Sequence, residues 1–332
     1  MFKMNDSVYE TLNLVVTKDG GLGYSVAQFD LPYSTKVREE AVIEIDNYLY
    51  KVKSLDMTEQ DRYSVECSAY LEELVSKRID RISEFGMSLK DALEAILDET
   101  GWTYSLEGTI AGSFGLDIEY ETVFEALEDL KDIYYVSFWY DTKAKVIYIW
   151  QKDKSRSTDV VVQFTGADSY ITCKSSSEGL VTRLIPIGKE KTTINLVNDN
   201  CLWLENHQYT DEIIVGYYTN SKITNPDNLK TIAEYKLKDI SKPAIEYTIK
   251  GHKITKELRI GDSVRVIDKM RVVDEVLSVQ TVCIDKTNPA QSYIKVGSIV
   301  PSFADNYSSF VNAQEKVNKD NMNNFNELFK RI

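Results

Sequence analysis

The sequence predicts an α+β chain that is mainly β, and three observations carry that reading. Residues 1–78 and about 245–300 alternate apolar and polar side chains with the period of two that a half-buried strand needs. Between them, two runs with helical spacing each lead into strand-like segments. From Asn306 onward the β pattern is gone and asparagines accumulate.

The N-terminal strands come first. Asp19-Gly20-Gly21-Leu22-Gly23 separates Leu12–Val16 from Tyr24–Phe29, and no helical pattern follows it. It reads as a hairpin turn and not as a phosphate loop. Val42–Asp46 passes through Asp46-Asn47 into Tyr48–Lys53, a second tight hairpin, and Tyr63–Ala69 alternates cleanly.

Near residue 80 the pattern changes. Ser88-Leu89-Lys90-Asp91 opens a helix, because a Ser hydroxyl and a third-position carboxylate satisfy free amides there. Leu89, Ala92, Leu93, Ile96 and Leu97 follow helical spacing, and Gly101 supplies a left-handed stop. Thr122–Leu130 repeats Ser88–Ile96 at an offset of 34 residues, leading into Tyr134–Tyr140 and Val146–Trp150. The offset matches a tetratricopeptide repeat, but each helix is followed by a strand and not by a partner helix. Residues 79–155 therefore read as one small α/β domain with two helix–strand units.

Strands return at Val160–Phe164 and Leu180–Gly188. Asn225-Pro226 opens a further helix with Leu229, Ile232, Ala233, Lys236 and Leu237 as its inner stripe. The resulting division is 1–78 plus 156–190 as a first β domain, 79–155 as α/β, 191–244 as an α/β insertion, 245–303 as a second β domain, and 304–332 as a C-terminal helical tail. In that tail Tyr307, Val311, Gln314, Asn318, Asn321, Phe325, Leu328 and Ile332 form a 4/3 seam with a polar middle. Val311, Phe325, Leu328 and Ile332 are the candidate oligomer contacts. A helix docked on its own domain and an oligomer stem both fit the seam.

Composition narrows function. Two or three domains fit 332 residues, with 43% apolar and 27% charged side chains. Lys+Arg 39 against Asp+Glu 52 gives a net charge of −13, which argues against a nucleic-acid binder. No apolar run reaches the ~18 residues of a membrane helix. Met1–Asp6 has no apolar core, so no secretory signal is expected.

Chemistry-bearing motifs are sparse. Cys67, Cys173, Cys201 and Cys283 form no C-x-x-C pair, so the expectation is mostly buried thiols and no zinc site. Cys201 and His207 share a face if their segment is a strand, yet would stand about 20 Å apart. His252 sits in a basic turn. Glu119, Glu121, Glu125, Glu128 and Asp129 read as a solvated face, although any two carboxylates could serve a glycosidase. Trp102, Trp139, Trp150 and Trp203 could stack on sugars or fill cores. No catalytic, cofactor-binding or metal-ligating residue is assigned.

Four segments carry a resemblance: Val42–Val52, Ser88–Trp102, Gly179–Gly188 with Leu204-Glu205-Asn206, and Leu258–Val264. In order and spacing they resemble the prophage tail endopeptidase family, the tail-associated, baseplate-hub-like proteins of long-tailed phages. The resemblance covers about residues 10–300. It implies two tail-tube-like β-barrel domains with inserted small α/β domains. It also implies a homotrimer that continues the tail tube and connects it to a host-binding or lytic tip.

Further expectations follow from the resemblance. Distal tail protein, tape measure and receptor-binding proteins become partners. DNA passes through the lumen, and the chain ends up in the virion after synthesis in the bacterial cytoplasm. The family name promises an endopeptidase, but its lytic part usually lies in a C-terminal extension, so no catalytic residue is carried over and no cofactor is expected. The alternatives are a cell-wall hydrolase with paired carboxylates and a cell-surface carbohydrate-binding module. The net charge suits an anionic lumen and ordinary solubility alike.

Overall fold

The computed structural model describes residues 1–298 except 5–6, 34, 59–60, 111, 153, 165–169, 252–257 and 271. The C-terminal tail, with Val311, Phe325, Leu328 and Ile332, lies outside the described residues, as does His252.

The chain opens with seven strands: β1 (Phe2–Met4), β2 (Ser7–Tyr9), β3 (Leu12–Asp19), β4 (Tyr24–Pro32), β5 (Val42–Ile45), β6 (Tyr48–Thr58) and β7 (Arg62–Ala69). Their alternation buries Leu14, Val16, Phe29, Leu31, Ile43, Ile45, Val52 and Val65 in one apolar core. Both expected hairpins form. Asp19 Oδ1 accepts the amides of Gly21 and Leu22 at 2.8 and 3.0 Å, closing the β3–β4 turn. Asp46 and Asn47 both take positive φ, 50° and 62°, which matches the right-handed twist of β5 and β6.

The α/β region holds α1 (Glu72–Ser76), β8 (Arg78–Ser88), α2 (Leu89–Leu97), β9 (Thr103–Glu107), β10 (Ser113–Thr122), α3 (Val123–Ile133), β11 (Val136–Asp141) and β12 (Val146–Gln151). Ser88 caps α2, and Thr122 with Glu125 forms a complete capping box on α3. The β8–β10 ribbon is not foreseen in the sequence, because β8 faces solvent along most of its length and shows no alternation. β9, β12 and β11 form a three-stranded sheet in which β9 runs parallel to β12.

The remainder comprises β13 (Val161–Phe164), β14 (Ile171–Ser176), β15 (Arg183–Ile187), β16 (Leu204–Glu205), β17 (Val215–Thr219), α4 (Pro226–Ile240), β18 (Ala244–Lys250), β19 (Ser263–Asp268), β20 (Val273–Asp285) and β21 (Tyr293–Gly297). Of the expected α4 stripe, Leu229, Ile232, Ala233 and Leu237 are buried. Lys236 is not; its amine reaches Asp132 at 2.8 Å. Ile194, Ile223, Leu229 and Ile232 join the same core as α2 and α3, so the two α/β pieces share one interior.

Among the described residues the β regions do not form two separate closed barrels. One ladder runs β14-β18-β21-β20-β3-β4-β7-β6-β5-β1-β2 and stays open among the described residues. The joint is β20. Its first half pairs with β19, and beyond a bulge at Val279/Thr281 its second half lies between β21 and β3. β13 pairs with β19 and β14 with β18, whereas the sequence reading groups these residues with 1–78. Local alternation identifies a strand but not its partner.

Candidate assembly interface

The quoted motifs become joints. In Leu258–Val264, Asp262 Oδ2 accepts the Arg259 amide at 2.7 Å while Oδ1 accepts Arg156 Nε at 2.8 Å. Arg156 also reaches Glu107 Oε1 at 2.9 Å and the Ile260 carbonyl at 2.5 Å, with its guanidinium 5.8 Å from the Trp150 ring centre. One side chain thus ties β9, β12 and the start of β19 together. Gly261 is required here, because at φ 82° a Cβ would stand 2.8 Å from the Trp150 ring. Arg156 lies in a polar loop, and nothing in its neighbours marks it.

Gly179–Gly188 and Leu204-Glu205-Asn206 also meet. Arg183 clasps Glu205 at 2.7 Å from Nε and 2.5 Å from a terminal nitrogen, and stacks 4.8 Å from the Trp203 ring centre. Thr182 Oγ1 donates to the Glu212 carbonyl at 2.6 Å and accepts the Ile214 amide at 2.8 Å. Val42–Val52 is the β5–β6 hairpin and Ser88–Trp102 is capped α2 with its exit.

The acidic run is not a uniformly solvated face. Lys222 bridges Glu121 and Asp129, meeting Asp129 at 3.4 Å, and so pins the loop before α4 against β10 and α3. Burial holds the Asp129 carboxyl up at about 6, with the neighbouring Glu121 raising it further and Lys222 opposing. Glu125 is spent on the α3 cap. Glu119 and Glu125 are exposed, while Glu121, Glu128 and Asp129 are half-buried.

The other candidates separate. Cys201 donates its thiol to the Trp203 carbonyl at 3.3 Å, and His207 Nδ1 faces the Thr210 carbonyl at 3.2 Å. Their segment is a strand only over Leu204–Glu205. Cys67 and Cys283 are buried, Cys173 and Cys201 half-buried. Trp102 and Trp150 are buried, Trp139 and Trp203 half-buried. Among the described residues no three His, Cys, Asp or Glu side chains converge as a metal site, and no helix is long and apolar enough to cross a membrane.

Among the described residues, exposed apolar side chains include several on β17 and β8. Val215 and Tyr217 alternate along the outer edge strand β17, preceded by exposed Ile213, with Tyr217 70% exposed. Phe85 projects from β8 at 86% exposure. Edge strands that keep apolar faces are ready to pair with another chain.

Comparison with known proteins places the architecture. The prophage endopeptidase tail family model matches residues 169–307. No curated protein sequence matches the chain. Prophage tail protein gp18 from Listeria monocytogenes EGD-e superposes with a TM-score of 0.68 at 13% identity, over 91% of this chain and 93% of that one. The 43 kDa tail protein of prophage MuSo2 from Shewanella oneidensis gives 0.66 at 13% identity, over 90% and 97%. The tail protein from Neisseria meningitidis MC58 gives 0.65 at 14%, over 90% and 95%. Residues 169–307 therefore match the prophage endopeptidase tail family, and the chain as a whole has the fold of prophage tail proteins.

Proposed function

We propose that this chain is a structural component of a phage tail, acting as a hub near the tail tip. On this reading three copies close a ring that continues the tube, with the continuous β ladder presenting barrel-like walls. The observation that carries the reading is the role of the shared motifs. Each resolves into a turn, a cap or an ion pair, and the ion pairs of Arg156 and Arg183 fix separate elements together, as a part that must hold its shape in an assembly requires. A ring of three needs heterologous contacts, where one surface meets a different one. The β17 edge, and Val311, Phe325, Leu328 and Ile332 of the tail, are the surfaces we assign to them. Distal tail, tape-measure and receptor-binding proteins are the expected neighbours, and DNA the expected passenger.

Antibody against the chain, applied to particles from a lysogen that encodes it, should label one end of the tail. Label along the whole tube, or none, contradicts the hub. A peptidoglycan zymogram separates the alternative: clearing by the purified chain would move the assignment to a cell-wall hydrolase with paired carboxylates.

A further inference from the structure

We propose that the cleft between the β9–β12–β11 sheet and β3, with the Arg259–Ile260 turn before β19, binds a neutral sugar ring. The hub reading neither requires this site nor fails with it.

The three-stranded sheet is apolar on both faces. One face puts Phe138, Tyr140, Ile147 and Ile149 into the helical core. The other carries Trp139 and Tyr148, which are direct cross-strand partners, and Trp150, which lies opposite Glu107 of β9. An outer face of this kind would ordinarily be polar. Here it lines a cleft of about 260 Å³.

Polar groups come from both walls, Lys18 from β3 and Glu107 from β9. Lys18 falls on the face of β3 that buries Leu14 and Val16, so a lysine occupies a core register and points into the cleft. Among the described residues its amine has no ion-pair partner. Burial lowers its pKa, with Arg259 and Lys286 adding to the shift and Asp46 opposing it. Glu107 Oε1 accepts from Arg156, while its Oε2 is buried with no hydrogen-bond partner among the described residues. A buried acceptor and a desolvated donor left open cost stability, and that cost is recovered when a ligand satisfies both.

The ligand class follows from these groups. The cleft has aromatic walls, one open donor and one open acceptor. Its cations Lys18, Arg156 and Arg259 face Glu107 and Asp141, and Arg156 is already held by Glu107 and by Asp262 behind the lining, so little net charge is left to call for an anion. A pyranose fits: its C–H face lies on an aromatic ring, and each hydroxyl both donates and accepts. Sites for drug-sized ligands run to ~300–1,000 Å³, so the smaller cleft suits one ring and not a chain of them.

The test is a titration of the full chain with glucose, galactose and N-acetylglucosamine, each followed by the indole N–H resonances. The expected result is a saturable shift of the Trp139 and Trp150 signals by at least one sugar, with Trp203 unmoved. Lys18→Met, which keeps the methylenes, should weaken that binding about tenfold. Tyr148→Ala, on the other wall, should weaken it as well and serves if Lys18→Met does not fold. Absence of a saturable shift with all three sugars overturns the proposal. So does undiminished binding in both variants, or a response to inorganic phosphate in place of the sugars.

Discussion

At the scale of single residues, Arg156, Gly261 and Asp262 form one joint between layers. Arg156 spans three elements through charge-assisted bonds, which individually contribute more than neutral ones. Arg156→Met keeps much of the apolar stem and removes the fork. Because the group is about one-third exposed, the expected loss is moderate, about 2 kcal/mol in chemical denaturation. Gly261→Ala should cost about 2–4 kcal/mol, since it combines a left-handed φ with collision against Trp150. The motif residues Gly261 and Asp262 were visible in the sequence, but their partner Arg156 was not. A spacing of over a hundred residues joins them only once β12 and β19 are packed.

Asp129 gives a pH dependence of defined sign. Its carboxyl is raised to about 6 in the fold from an ordinary 3.8, so the folded state binds its proton more tightly than the unfolded state. The contribution is fully favourable below about 4 and is lost as pH rises through 6. Asp129→Asn should therefore raise Tm most at pH 7–8 and leave it nearly unchanged at pH 4. Glu121 and Lys222 face the same group, and both remain in the variant. An Asp129→Asn effect that grows toward acid pH would contradict this assignment.

At the scale of elements, helices and tight turns were readable and pairing was not. Caps at Ser88, Thr122 and Asn225 stand where local chemistry puts them, because a cap is satisfied within four residues. Thr122→Ala should cost about 1 kcal/mol. Leu127→Ala, in the centre of α3, should cost about 2–5 kcal/mol by leaving a cavity in the shared α/β core. Strand partners are set by contacts distant in sequence, which is why the pairing of β13 with β19, of β14 with β18 and of β8 with β10 is not legible in local alternation. The cleft was half legible: Trp139 and Trp150 were noted, while Lys18 and Glu107 emerged only when β3 and β9 were seen to face one another.

At the scale of the molecule, the open ladder matters most. β20 makes the first and last β regions one sheet, so strain applied to either reaches the other through backbone hydrogen bonds and not through a linker. That continuity suits a part that transmits load along a tail. The α/β pieces with their common core sit off that ladder and leave the β17 edge for a neighbour. Tyr217→Lys should therefore weaken self-association while leaving the fold intact, since the side chain touches little within the chain.

The central claim is that this chain assembles as a three-fold hub. Light scattering over a concentration series measures it most directly. The account predicts a species near three times 38.0 kDa, reduced toward 38.0 kDa by Tyr217→Lys. A mass of 38.0 kDa at every concentration, unchanged when neighbouring tail proteins are added, would contradict it.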